Sequence, residues 1–142
     1  MKRTLIIIAV IAGISALAGP ARADTLTAFH TPSKNIYCLA SESEDANFMD
    51  CEILVMTRQA PLMPRPDDCD LEWGNRFQVG EEDAAYLGCT GDTLRDDTGQ
   101  TLAYGTSFQS GGITCTSSEK GLECRNGDGH GFFLSKGKQR LF

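Results

Sequence analysis

Six cysteines constrain this chain more than any other feature: Cys38, Cys51, Cys69, Cys89, Cys115 and Cys124. No Cys-x-x-Cys occurs, and the spacings suit neither a thioredoxin-type redox pair nor paired zinc knuckles. An even cysteine count in an exported chain reads as a disulfide framework. Several pairings are open to six cysteines. The sequential set Cys38 to Cys51, Cys69 to Cys89 and Cys115 to Cys124 is favoured, because two of its pairs close hairpins.

Alternation carries the hairpin reading. Ile113 and Cys115 share one face of a strand, Leu122 and Cys124 one face of the next, and Lys120-Gly121 supplies turn chemistry between them. A third strand follows at His130 to Ser135, after the turn Asn126-Gly127-Asp128-Gly129. The arrangement occurs earlier as well. Ile36-Tyr37-Cys38, a polar run Ser41 to Asn47 and Met49 to Ile53 repeat Ile-x-Cys, turn, Cys, with a phenylalanine ahead of each copy (Phe29 and Phe108). This is a weak internal repeat with unequal loops.

Residues Met1 to Ala23 have a basic start (Lys2, Arg3), an apolar run from Leu5 to Leu17 and the small-residue pattern Ala21-Arg22-Ala23. They are expected to be a secretory signal peptide, with the mature chain starting at Asp24. The apolar run is short for a membrane span, and Pro20 stands where a lipoprotein would need cysteine. The expected product is an unanchored periplasmic or secreted protein. Without Lys2, Arg3 and Arg22 the formal net charge falls from −6 to −9. Nucleic acid and anionic membranes are poor partners for such a chain, whereas an exported cationic protein or a small ligand suits it. Aliphatic and Phe content is low, so the cystines are expected to compensate for a thin core; chain entropy assigns about 3 kcal/mol to each loop.

The remaining elements read as follows. Leu26 to Phe29 is a short strand, and Thr31 to Asn35 a turn. Ile53-Leu54-Val55-Met56 is a continuous apolar run that fits a central strand covered on both faces. Pro61, Pro64 and Pro66 make Ala60 to Asp68 a loop. Leu71, Trp73, Phe77 and Val79 are expected in the core. Glu81 to Gly88, acidic first and ending in Gly, is the one plausible helix. Turns at Cys89 to Thr93 and Asp96 to Gly99 precede a short strand at Leu102 to Gly105. The sum is a single all-β domain with at most one short helix over residues 24–142, a small disulfide-stapled sandwich or partly closed barrel.

Several stretches together resemble a family of small exported bacterial proteins classed as a domain of unknown function. They are Phe29-x-Thr31-Pro32-Ser33-x-Asn35-Ile36-x-Cys38, Cys51-Glu52-Ile53, Asp68-Cys69 with Trp73-Gly74, Cys89-x-Gly91-Asp92-Thr93, Leu102-x-Tyr104-Gly105, Gly112-Ile113-x-Cys115, Gly121-Leu122-x-Cys124-x-Asn126 and Gly129-His130-Gly131-Phe132-x-Leu134-Ser135. The resemblance implies a bacterial, extracytoplasmic setting and no particular activity.

Candidate chemistry is sparse. An imidazole between two glycines, His130, can approach a ligand closely; with Asp128 or Asp92 it is the candidate catalytic pair of a hydrolase, and His30 is a conceivable partner. No Gly-x-Ser-x-Gly elbow is present. Asp92, Asp96 and Asp97, with Thr93 and Thr98, offer oxygen ligands to a hard cation, although not at EF-hand spacing, and Asp in turns serves turn chemistry. Asp67, Asp68, Asp70 and Glu72 form a solvated acidic loop or docking patch. Trp73, Asn35 and His130 are the candidate ligand contacts, although a buried core role suits Trp73 better, with Gly74, Phe77 and Tyr86 nearby. Lys136, Lys138 and Arg140 give a basic tail. No cofactor is implied. The expected function is a monomeric, non-catalytic binding or interaction module. The alternatives are a small hydrolase using His130, or an inhibitor of a basic exported enzyme steered by charge, although Ser110-Gly111 lacks the Ser-Gly-x-x-Tyr loop associated with lysozyme inhibitors.

Overall fold

The structure, a computed structural model, describes residues 19, 23–58 and 60–142. Apart from Gly19 and Ala23, the expected leader lies outside the described residues. Among those residues there are eleven strands and no helix. A first sheet contains β1 (Thr25–His30), β2 (Ile36–Glu42), β3 (Asn47–Ile53), β4 (Arg76–Gly80), β5 (Tyr86–Leu87) and β6 (Gln100–Thr101) in the order β5-β4-β3-β2-β1-β6. A second contains β7 (Ser107–Ser110), β8 (Ile113–Ser118), β9 (Gly121–Arg125), β10 (Gly131–Leu134) and β11 (Gln139–Leu141) in the order β11-β10-β9-β8-β7. The sheets pack as an open sandwich that is not closed into a barrel.

The weak sequence repeat has a structural counterpart. Across the first sheet, register aligns Phe29, Cys38, Cys51, Phe77 and Leu87 in one row. Across the second it aligns Phe108, Cys115, Cys124, Phe132 and Leu141. Both rows face the interior, with Phe29 4.8 Å from Phe108 and Phe77 6.0 Å from Phe132 between ring centroids. The five strands β1 to β5 therefore match β7 to β11, and β6 is the strand without a counterpart. The β1–β2 turn shares a cleft with the β8–β9 turn, while the β7–β8 turn meets the β2–β3 turn at the far end, where Gly111 N donates to Glu42. The two units thus run in opposite directions and are related by an approximate two-fold rotation.

The cystine pairing follows from the same rows. Cys38–Cys51 and Cys115–Cys124 join directly opposed residues with Cα atoms 4.1 and 4.0 Å apart, close to the spacing of a non-hydrogen-bonded antiparallel pair. Cys69–Cys89 staples the long loop 54–75 to the segment after β5. The four row cysteines are at most 1% exposed, whereas Cys89 is exposed. Mild reduction of the folded protein should therefore open Cys69–Cys89 alone. Alkylation and peptide mapping should find label on Cys69 and Cys89 first; early label on Cys115 or Cys124 would contradict this ordering.

The outer face of the first sheet is also buried, and it is polar. Residues 88–99 lie across it as a lid. Arg76 Nε pairs with Asp50 at 2.8 Å, both side chains being under a tenth exposed, and Arg76 Nη1 donates to Thr90 Oγ1 and the Asp92 carbonyl. Gln78 donates to the second Asp50 oxygen. Glu52 accepts from Thr93 Oγ1 and Leu94 N. Tyr37 donates its hydroxyl to Asp97 at 2.7 Å.

Four local expectations are corrected. Residues 81–88 form no helix: a segment of two turns has little intrinsic stability, and Tyr86 and Leu87 pair instead with Gln78 and Phe77. The apolar run 53–56 is not a strand covered on both faces, since β3 ends at Ile53 and Leu54 and Val55 are exposed. Among the expected core residues, Phe77 and Val79 are fully buried, Trp73 is half-buried, and Leu71 is half exposed in the stapled loop. The strand expected at 102–105 lies two residues earlier, because Gln100 and Thr101 carry the pairing with β1 and Leu102 turns into the core.

Candidate functional site

A cleft of about 380 Å³ opens at the end of the sandwich where four separated turns meet. The β1–β2 turn contributes Thr31, Ser33 and Asn35, the β8–β9 turn Ser118 to Gly121, the β10–β11 turn Ser135 and Lys136, and the β6–β7 connection Tyr104. Lys34 holds the first turn in the left-handed region at φ 54°, and Thr31 N closes it on the Ile36 carbonyl. Asn35 clamps Val55 from both sides, Nδ2 donating to its carbonyl at 3.0 Å and Oδ1 accepting its N–H at 2.9 Å. Thr57 N then donates to the Lys136 carbonyl. These bonds fix Val55 and Lys136 as neighbouring walls.

Most hydroxyls in the cleft are used by the turns themselves: Ser118 by Gly121 and Lys120, Ser135 by both backbone groups of Lys138. Four groups remain directed to solvent: the ammonium groups of Lys120 and Lys136, the Glu119 carboxylate and the ring of Tyr104, which is 43% exposed. Among the described residues neither lysine forms an ion pair, and Glu119 is the single carboxylate in the lining. Cationic donors beside an exposed aromatic face can hold an anionic head with an apolar or ring body.

The residues nominated from sequence fall in different places. Asn35 borders the cleft, with its amide committed to Val55. Trp73 packs on the core edge and donates Nε1 to the Met63 carbonyl, beside a shallow depression with Pro61, Arg65 and Leu71. His130 is half-buried and its backbone is held by Asn126, which also accepts from Asp128 N and donates to the carbonyls of Gly80 and Asp83, tying the two sheets together. No hydrogen bond joins the His130 ring to Asp128 or Asp92 among the described residues. His30 is buried; its Nδ1, 3.0 Å from the Thr31 carbonyl, must carry the proton, since a carbonyl only accepts.

The candidate cation ligands Asp92, Asp96 and Asp97 belong to the lid. Asp96 accepts from Thr98 N and Oγ1, and these bonds hold its carboxyl below the usual carboxylate range. Asp97 is likewise lowered, first by the Tyr37 hydroxyl, whose effect exceeds the opposing desolvation, and further by Arg95 and Lys34. Burial, with Asp97 adding, raises the Tyr37 phenol. Asp92 offers its backbone carbonyl to Arg76. No group of three His, Cys, Asp or Glu among the described residues is arranged to hold a metal ion. Asp67, Asp68, Asp70 and Glu72 are exposed. In the tail, Arg140 stacks over Phe142 and approaches Glu123, while Lys136 turns to the cleft.

Nothing in the sequence marks Tyr104, Lys120 and Lys136 as a set. Each is an ordinary turn residue, and only the face-to-face packing of the two units, run in opposite directions, brings them together. Comparison of the chain with curated proteins and with solved structures finds no match in either. A family model does match, over residues 7–142, nearly the whole sequence. The chain thus belongs to the family of unknown function DUF6636.

Proposed function

We propose that the protein is an exported, non-catalytic binding module, that the cleft lined by Tyr104, Lys120 and Lys136 is its ligand seat, and that the ligand is a small organic anion with an apolar or ring body. One observation carries the reading: two ammonium groups with no carboxylate partner among the described residues stand beside an exposed tyrosine ring, in a chain whose formal net charge is −6. Unpaired lysines at one rigid cleft of an acidic protein favour an anion there over the cationic partner that net charge alone suggests. Export is supported by the leader pattern of residues 1–23 and by the three cystines.

The test is a titration of carboxylates, phosphate monoesters and acidic sugars, followed by calorimetry and by amide shifts at the cleft. Lys120→Ala with Lys136→Ala should weaken binding about tenfold, as expected for two exposed charge contacts, and Tyr104→Ala should weaken it separately. All three side chains are exposed, so stability should stay within about 0.5 kcal/mol of the parent. Undiminished binding by the double lysine variant, or no response to any anion class, would refute the assignment.

A further inference from the structure

The match between the two units exposes an asymmetry at one edge. In the first sheet β1 is covered by β6, which runs parallel to it with Phe29 opposite Gln100 and His30 opposite Thr101, and Leu102 N donates to the His30 carbonyl. In the second sheet β7, the counterpart of β1, is an edge with no strand beyond it among the described residues. We infer that β7 is a docking edge for an extended segment of a partner protein, which lies parallel to β7 as β6 lies along β1 and places an aliphatic side chain over Phe108. This surface is separate from the cleft and does not depend on the anion reading.

Three observations point the same way. First, the ladder leaves the right groups free. Cys115–Cys124 is the non-hydrogen-bonded pair, so Cys115 and Phe108 bond each other, and the N–H and C=O of Ser107 and Gln109 face outward. Gln109 matches His30, whose outward carbonyl is the one that Leu102 satisfies. Second, the core is unfinished at this place. Phe29 is 1% exposed, with buried Leu102 following β6, whereas Phe108 is only half-buried. Third, the edge carries none of the usual protection against added strands. The edges β5 and β6 are two residues long and β11 carries Arg140, but β7 offers Ser107-Phe108-Gln109-Ser110, four residues without charge or proline. Main-chain bonds supply affinity in such strand addition and the alternate side chain supplies selectivity.

The chain's own β6 segment shows the chemistry that fits, so the probe is the capped peptide Gly-Gln-Thr-Leu-Ala, the sequence of residues 99–103. In amide-resolved NMR of the folded protein, the peptide should shift Ser107 to Ser110. It should also slow exchange of the Ser107 and Gln109 amides about tenfold at ten times Kd, by mass action. The same peptide N-methylated at leucine, lacking the N–H that Leu102 gives to His30, should have no effect. Gln109→Pro should keep the parent melting temperature, because the lost N–H faces away from β8, and should abolish the response. An equal response to the N-methylated peptide or in Gln109→Pro, or no response at β7, overturns the inference. Concentration-dependent protection of β7 without peptide would identify a second copy as the occupant and overturn it equally.

Discussion

Gly131→Ala is expected to prevent folding. The first residue of β10 lies so close to β9 that a Cβ there would be driven into the Cys124 carbonyl, with the Cys124 carbon and Arg125 Cα also inside contact distance. Those atoms are backbone in the row of the buried cystine, so no side-chain rotation relieves the clash. The loss should exceed about 4 kcal/mol, a large share of the about 5–15 kcal/mol that holds a domain folded. Soluble yield and a denaturant melt are the measurements. Gly127→Ala is the control: nothing lies within 4 Å of its added Cβ, and it should change stability by no more than about 0.5 kcal/mol. A well-folded Gly131→Ala would mean that β9 and β10 are not packed as described.

Asp50→Ala is expected to cost about 3–5 kcal/mol, because it leaves the Arg76 guanidinium buried without its counter-ion. Arg76 is under a tenth exposed, and its remaining partners, Thr90 and the Asp92 carbonyl, carry no full charge. Adding Arg76→Met to Asp50→Ala should recover much of the loss, since removing both charges removes the penalty of the orphan. A double-mutant cycle by urea denaturation measures the coupling. Costs that simply add would show that water reaches the pair and that the lid does not seal the outer face.

The cystine pairing was legible because alternation puts Cys38, Cys51, Cys115 and Cys124 on inward faces beside turns short enough to oppose them. The repeat was half legible. Phe29 and Phe108 and the two cystine pairs stood out, but Phe77 is separated from Cys51 by the proline-bearing loop 54–75, whereas a tight turn joins Cys124 to Phe132, so the fourth and fifth members of each row could not be aligned by spacing. The segment 81–88 misled because acids followed by an apolar pair and Gly suit both a helical turn and a turn leading into a strand; pairing with β4 decided between them. Acids such as Asp96 and Asp97 gave no sign in sequence that they would lie in a lid, since two of the groups that engage Asp97, Tyr37 and Lys34, belong to a distant strand and turn. The cleft was least legible of all, being a property of turns from both units meeting.

The matched rows also bear on how such a chain assembles. A single five-stranded unit presents one face of Phe, two half-cystines, Phe and Leu, and that face has nothing in its own unit to cover it. Only a second copy, turned about by the two-fold, completes the core, so the sandwich has the geometry of an isologous homodimer whose protomers have been joined in one polypeptide. Joining fixes their ratio and their concentration with respect to each other. It also lets the copies diverge without losing their partner: the polar lid, the third cystine and the covering strand β6 all belong to the first unit or the segment that follows it, while the second remains close to the bare meander.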